Sequence, residues 1–159
     1  SSDSFMVSMW IYPTEEHSWR CALYVKYETV FFGMIPIAWE GHSSFRIRDS
    51  KEVSGWYDIS GCKLQVNEWS HYVVSYNAKT ETAYAYINGQ LVGSMKNVPG
   101  NRYAKRIVLG GDVFQPSFIG KICEVTFYNE IRDHDFVSEL HQSYVTRDDF
   151  IGFEIGIDK

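Results

Sequence analysis

Read in steps of two, most of this chain alternates. In SFMVSMWIY (4–12), Phe5, Val7, Met9 and Ile11 fall on one side and Met6, Ser8, Trp10 and Tyr12 on the other, with Pro13 ending the run. Such alternation sends successive side chains to opposite faces of a β-strand. CALYVKYETVFF (21–32) is read as one long strand, with Gly33 and Pro36 breaking the pattern after it. SSFRIRD (43–49) sets Phe45 and Ile47 against Arg46 and Arg48. HYVVSYN (71–77) pairs through a short turn with TAYAYIN (82–88), and RIVLGGD (106–112) and SFIGKICEVTFYN (117–129) complete the series. Strands recurring every ~8–12 residues with turn signals between them point to an all-β sandwich or barrel rather than to βαβ units.

The sharpest local signal is TETAYAYINGQLVGS (80–94). Ala83, Ala85 and Ile87 share one side and Tyr84 and Tyr86 the other; Asn88-Gly89 then turns the chain and Leu91 and Val92 begin the return. Asn-Gly between two such runs marks a hairpin, because a type I′ turn needs positive φ at both central residues. One helix is expected over RDHDFVSELHQSY (132–144), where Phe136, Val137, Leu140 and Tyr144 stand at helical spacing. Asp133 fits its N-cap and Asp135 the positive end of its dipole. The tail DFIGFEIGIDK alternates Ile151, Phe153, Ile155 and Ile157, and is read as a last strand or the start of a linker.

Composition adds one unusual feature. The 159 residues suit one domain, but 11 Tyr, 10 Phe and 5 Trp are more aromatics than a core alone requires. A net charge of −5 without a basic stripe argues against a nucleic-acid surface. No apolar run approaches the ~20 residues of a membrane-spanning helix. The three cysteines, Cys21, Cys62 and Cys123, form no Cys-x-x-Cys and allow at most one internal disulfide, so they leave both zinc binding and compartment unsupported. The first strand begins within a few residues of Ser1, as expected of a domain excised from a larger chain.

The order of SFMVSMWIYP, NEWSHYVVSYN, AYAYINGQLVGS, RIVLGGD and FIGKICEVTFYNEIRDHDFVSEL, over residues 4–141, resembles the laminin-G-like, concanavalin A-like lectin/glucanase superfamily. The resemblance implies one domain over 1–159: a two-sheet antiparallel jelly-roll sandwich with one short C-terminal helix. It implies that Trp69 and His71 are structural, Trp69 in the core. Such folds host lectins, carbohydrate-binding modules, pentraxin-like proteins, adhesion domains and glycosidases. Members often carry an acidic residue in the closing strand where this chain has Cys123, a departure that weakens a calcium site by analogy.

In a sandwich, inward Phe5, Val7, Met9, Ile11, Ala83, Ala85 and Ile87 leave Trp10, Tyr12, Tyr84 and Tyr86 on an outer face. Aromatic rings there suit sugars: a pyranose presents an apolar C–H face for stacking and a rim of hydroxyls for hydrogen bonds. Packing under the helix, the tail or a neighbouring domain is the alternative for each. Loops add Trp19 in EEHSWR (15–20), Trp39 in AWEGHSSFRIR (38–48), Trp56 and Tyr57 in SGWYDISG (54–61), and Gln115 in GGDVFQPS (110–117). Arg46 and Arg48 are either solvated or bind an acidic sugar bidentately. Asp112 is either a turn residue or a ligand for sugar or cation, so a structural calcium stays open.

Catalysis finds no support. The paired carboxylates of a glycosidase strand are absent, DHDFVSE (133–139) falls on the predicted helix, and LGGD is a turn rather than a phosphate cradle. The reading is therefore a non-catalytic carbohydrate-binding module of a larger extracellular or cell-surface protein, a glycoside hydrolase, which it targets to a glycan. The alternative is a laminin-G-like interaction domain whose aromatics pack on a neighbouring domain; a silent glucanase is the third reading.

Overall fold

The computed structural model describes residues 4–16, 19–27, 30–49, 56–98 and 104–147, with backbone alone at 30–31, 45–49, 56–58 and 60–62. Among them, ten strands form two antiparallel five-stranded sheets. Sheet A has the order β10-β1-β6-β7-β8, from β1 (Phe5–Pro13), β6 (Ser70–Asn77), β7 (Thr82–Ile87), β8 (Gln90–Met95) and β10 (Gly120–Tyr128). Sheet B has the order β5-β4-β3-β2-β9, from β2 (Leu23–Lys26), β3 (Val30–Ile35), β4 (His42–Asp49), β5 (Trp56–Lys63) and β9 (Arg106–Leu109). The one α-helix among the described residues, α1 (His134–Val145), is capped by Asp133, whose carboxylate accepts the Phe136 N–H at 2.9 Å.

The inner faces carry the expected alternation. Val7, Met9, Ile11, Val74, Ala83, Ala85 and Ile87 of sheet A close on Leu23, Val25, Phe32, Met34 and Ile59 of sheet B. Phe5 stacks on Phe32 across the two sheets, with ring centroids 5.2 Å apart. Tyr76 joins this core because its hydroxyl donates to the Val98 carbonyl at 2.9 Å, leaving no polar atom stranded.

Two expectations are corrected. The run 21–32 is a hairpin rather than one strand: Leu23 pairs with Met34 and Lys26 with Phe31, and Gly33 lies inside β3 instead of breaking it. SGWYDISG is not a loop, since Trp56 and Tyr57 begin β5, opposite Arg48 and Ile47 of β4. The tail at 149–159 lies outside the described residues.

The Asn88-Gly89 turn joins two separate sequence signals. Both residues have positive φ, +52° and +78°, as a two-residue hairpin requires. The Asn88 side-chain oxygen accepts the His71 backbone N–H, and the Asn88 N–H donates to the His71 carbonyl, both at 2.8 Å. A β-carbon at Gly89 would stand 3.2 Å from Cβ of His141 in α1. Gly89→Ala is expected to cost about 1–2 kcal/mol from the left-handed backbone alone, with further strain from His141. Urea unfolding checks this as a lower midpoint at unchanged slope.

Candidate functional site

The centre of the outer face of sheet A is covered by the helix. Met6, Val73 and Tyr86 pack with Val137 of α1, and Trp10 packs with Tyr144. Trp10, His71 and His141 form three near-parallel rings, with centroids 5.1–5.5 Å apart, and Tyr144 meets Trp10 edge-on. Trp10 is 3% and Tyr86 4% exposed, so neither is open to a ligand. This corrects their reading as surface aromatics. They do face outward, but α1 has apolar residues of its own to bury and lies on them. Tyr84 is half-buried in the same layer. Tyr12 lies against Trp69 with the Lys121 ammonium 4.9 Å over its ring. Trp69 is thus a half-buried member of this helix-covered face rather than of the inner core. Cys123, opposite Trp10 in the ladder, is part of the helix contact, and burial raises its thiol pKa.

His71 is the polar centre of this layer. One ring nitrogen is 2.7 Å from the Ser8 hydroxyl, while Nδ1 is buried with no hydrogen-bond partner. Burial, with the neighbouring His141, lowers its pKa to about 3. The imidazole is therefore neutral when folded but takes a proton near pH 6.5 once unfolded, so the unfolded state binds more protons between these values and stability rises with pH there. Unfolding in urea is expected to require roughly 2 kcal/mol less at about pH 5 than at about pH 7 through this residue. The drop should shrink in His71→Gln; an equal drop in both proteins would contradict this.

The outer face of sheet B gathers a different set of aromatics. Leu23 and Val25 point to the core, so Tyr24 points out, joining Cys21, Ile35, Ala38, Trp19 and Val108. Gly33 stands opposite Tyr24, and a β-carbon there would come 2.9 Å from the Cys21 sulfur, which keeps this position bare. The 110–119 loop is strapped over the face. The Gly110 N–H donates to Ala22, the Phe118 N–H to Gly110, and Arg20 to the Ser117 carbonyl at 2.8 Å. Asp112 accepts the N–H groups of Phe114 and Gln115 at 2.6 and 2.7 Å, a local turn that sets Phe114 edge-on to Tyr24. Burial, then Asp112, raises the Tyr24 pKa, against the opposing pull of Arg106.

Trp19 and Trp39 meet beside this cluster. Trp19 has φ +71° and donates its backbone N–H to Ile37; Trp39 opens a short 3₁₀ turn, Trp39–Gly41. Their rings meet edge-on with centroids 4.5 Å apart. Trp39 is 55% and Phe114 58% exposed, a large aromatic area on rigid supports.

The candidate residues therefore divide. Trp19, Trp39 and Gln115 come to the sheet B side, with Asp112 as the turn-former of its loop. Trp10, Tyr12, Tyr84 and Tyr86 belong to sheet A, across the core. Arg46, Arg48, Trp56 and Tyr57 hold backbone places in β4 and β5, their side chains lying outside the described set. Phe114 and Tyr24 were missed. The Asp112 turn is the signal for the first, and splitting 21–32 into a hairpin would have exposed the second. Among the described residues no three His, Cys, Asp or Glu gather as a metal site, and no helix is long and apolar enough to cross a membrane.

The family model of the concanavalin A-like lectin/glucanases superfamily matches residues 1–138. The chain belongs to this superfamily. The two-sheet jelly roll expected from the motif order is thereby shown, and no curated protein matches the sequence. Solved structures share the superfamily fold. Domain 4 of AbnA, a GH43 extracellular arabinanase from Geobacillus stearothermophilus, in complex with arabinotriose, has a TM-score of 0.74 at 24% identity, over 89% of this chain and 68% of that one. The Ruminococcus gnavus IT-sialidase CBM40 bound to α2,3 sialyllactose has 0.71 at 13%, over 89% and 84%. A heptameric SAP-like pentraxin from Limulus polyphemus has 0.70 at 16%, over 95% and 73%.

Proposed function

We propose that this chain is a non-catalytic carbohydrate-binding module whose ligand face is the outer surface of sheet B. The observation that carries the reading is the edge-on Trp19–Trp39 pair at the Tyr24 cluster that Phe114 also meets, with Trp39 and Phe114 exposed. An exposed indole face stacks on the C–H face of a sugar ring, and flanking Arg20 and Gln115 supply polar partners for hydroxyls. Among the superfamily neighbours, an arabinanase domain and a sialidase module were solved with saccharides, which supports the same use of the fold here. The module would hold a larger extracellular or cell-surface protein, a glycoside hydrolase, near its polysaccharide by raising effective concentration.

A second reading rests on a separate feature. Ile107 and Leu109 of β9 and Phe127 of β10 are 49%, 53% and 45% exposed on edge strands, apolar surface suited to a neighbouring domain.

A glycan-array screen with and without EDTA separates the two. Specific binding is expected, reduced roughly tenfold by Trp39→Ala or Phe114→Ala, as for an exposed aromatic anchor, and unchanged by Tyr12→Ala on the opposite face. Loss on EDTA treatment would bring calcium into the site. A blank array from folded protein would move the assignment to domain docking.

A further inference from the structure

Backbone register lays out sheet B row by row. Arg106 of β9 pairs with Lys26 of β2, Lys26 with Phe31 of β3, Phe31 with Arg48 of β4, and Arg48 with Trp56 of β5. The next row of the same parity reads Val108, Tyr24, Gly33, Arg46 and Asp58. With strands ~4.8 Å apart, the first row spans roughly 19 Å. It contains three basic residues, two aromatics and no acidic residue. In the second row Arg46 holds the register position opposite Asp58, so that row carries one basic and one acidic residue.

Lys26 and Arg106 alternate with Val25 and Ile107, which places them on the Tyr24 side of the sheet. Lys26 is half-buried and Arg106 exposed. Arg106 lies close enough to lower the Tyr24 pKa, and Phe114 stands against the same tyrosine ring. The basic row and the aromatic rim are thus parts of one surface. The chain as a whole carries −5, so a polyanion is repelled elsewhere and this row runs against the average.

We propose that the sheet B face selects anionic glycans, carbohydrates carrying carboxylate or sulfate groups, with the aromatic rim taking a sugar ring and Arg106 and Lys26 taking the negative charges. The inference rests on the carbohydrate-binding reading above and adds the ligand class. Guanidinium groups bind carboxylate or sulfate through paired N–H bonds, and lysine adds a point charge.

The test measures binding of the whole chain to four immobilised probes: polygalacturonate, carboxyl-reduced polygalacturonate, heparin and neutral arabinan. Polygalacturonate or heparin should bind at least about tenfold more tightly than the neutral probes, and less tightly as salt rises from about 50 to about 500 mM. Lys26→Gln combined with Arg106→Gln should lose roughly tenfold on the anionic probe and under about twofold on a neutral one. Arg106→Gln alone serves if the double variant unfolds, and Lys79→Gln, in the β6–β7 turn, controls for net charge. Preference for polygalacturonate over its reduced form assigns carboxylate, and binding of heparin alone assigns sulfate. Neutral probes bound as tightly as anionic ones, or anionic binding indifferent to Lys26 and Arg106, overturns the anionic inference and leaves carbohydrate binding standing. Binding to none of the four by folded protein, together with a blank glycan array, overturns both.

Discussion

Three near-parallel rings, Trp10, His71 and His141, hold α1 against sheet A, and the surface available for function depends on that contact. With the helix in place the central strands of sheet A are buried on both faces, so β1, β6 and β7 are apolar or tightly packed almost throughout. Sheet B has no helix of its own among the described residues. Its outer face is instead edged by turns, and Trp39 and Phe114 stand exposed there. The division of labour is physical: one amphipathic helix can cover one sheet, and it covers the one whose outward residues are Met6, Val73 and Tyr86.

That division was only partly legible in the sequence. Alternation in FMVSMWIY and TAYAYI gave both faces of each strand correctly, because a single buried inner face imposes period two. Asn88-Gly89 and Asp133 were readable because positive φ and N-capping are local demands met by few residue types. The fate of an outer face is a tertiary matter. One clue was present: Phe5-Met6 and Val73-Val74 break the alternation with apolar pairs, as strands buried on both sides do. The 21–32 hairpin escaped notice because segment 27–30, Tyr-Glu-Thr-Val, contains no Gly, Pro, Asn or Asp to announce a turn.

The loops of the sheet B surface are set by hydrogen bonds to backbone groups over a small buried cluster of Cys21, Tyr24, Ile35 and Ala38. Asp112 closes the turn that presents Phe114, and Ile37 fixes Trp19 beside Trp39. A site built this way loses little ordering entropy on binding, which suits weak, reversible recognition of a solvated ligand such as a sugar. Its loops vary independently of the core, so one superfamily fold can serve ligands as different as those of its solved neighbours.

The helix covers one aromatic face and leaves the other open. Indole N–H resonances of the five tryptophans, recorded while a water-soluble paramagnetic chelate is added, test it directly. The Trp39 signal should broaden early while those of Trp10 and Trp69 persist, since their indole nitrogens are buried. Trp10 broadening together with Trp39 would mean that α1 does not seal sheet A, and would return the ligand face to the side on which Trp10 and Tyr86 lie.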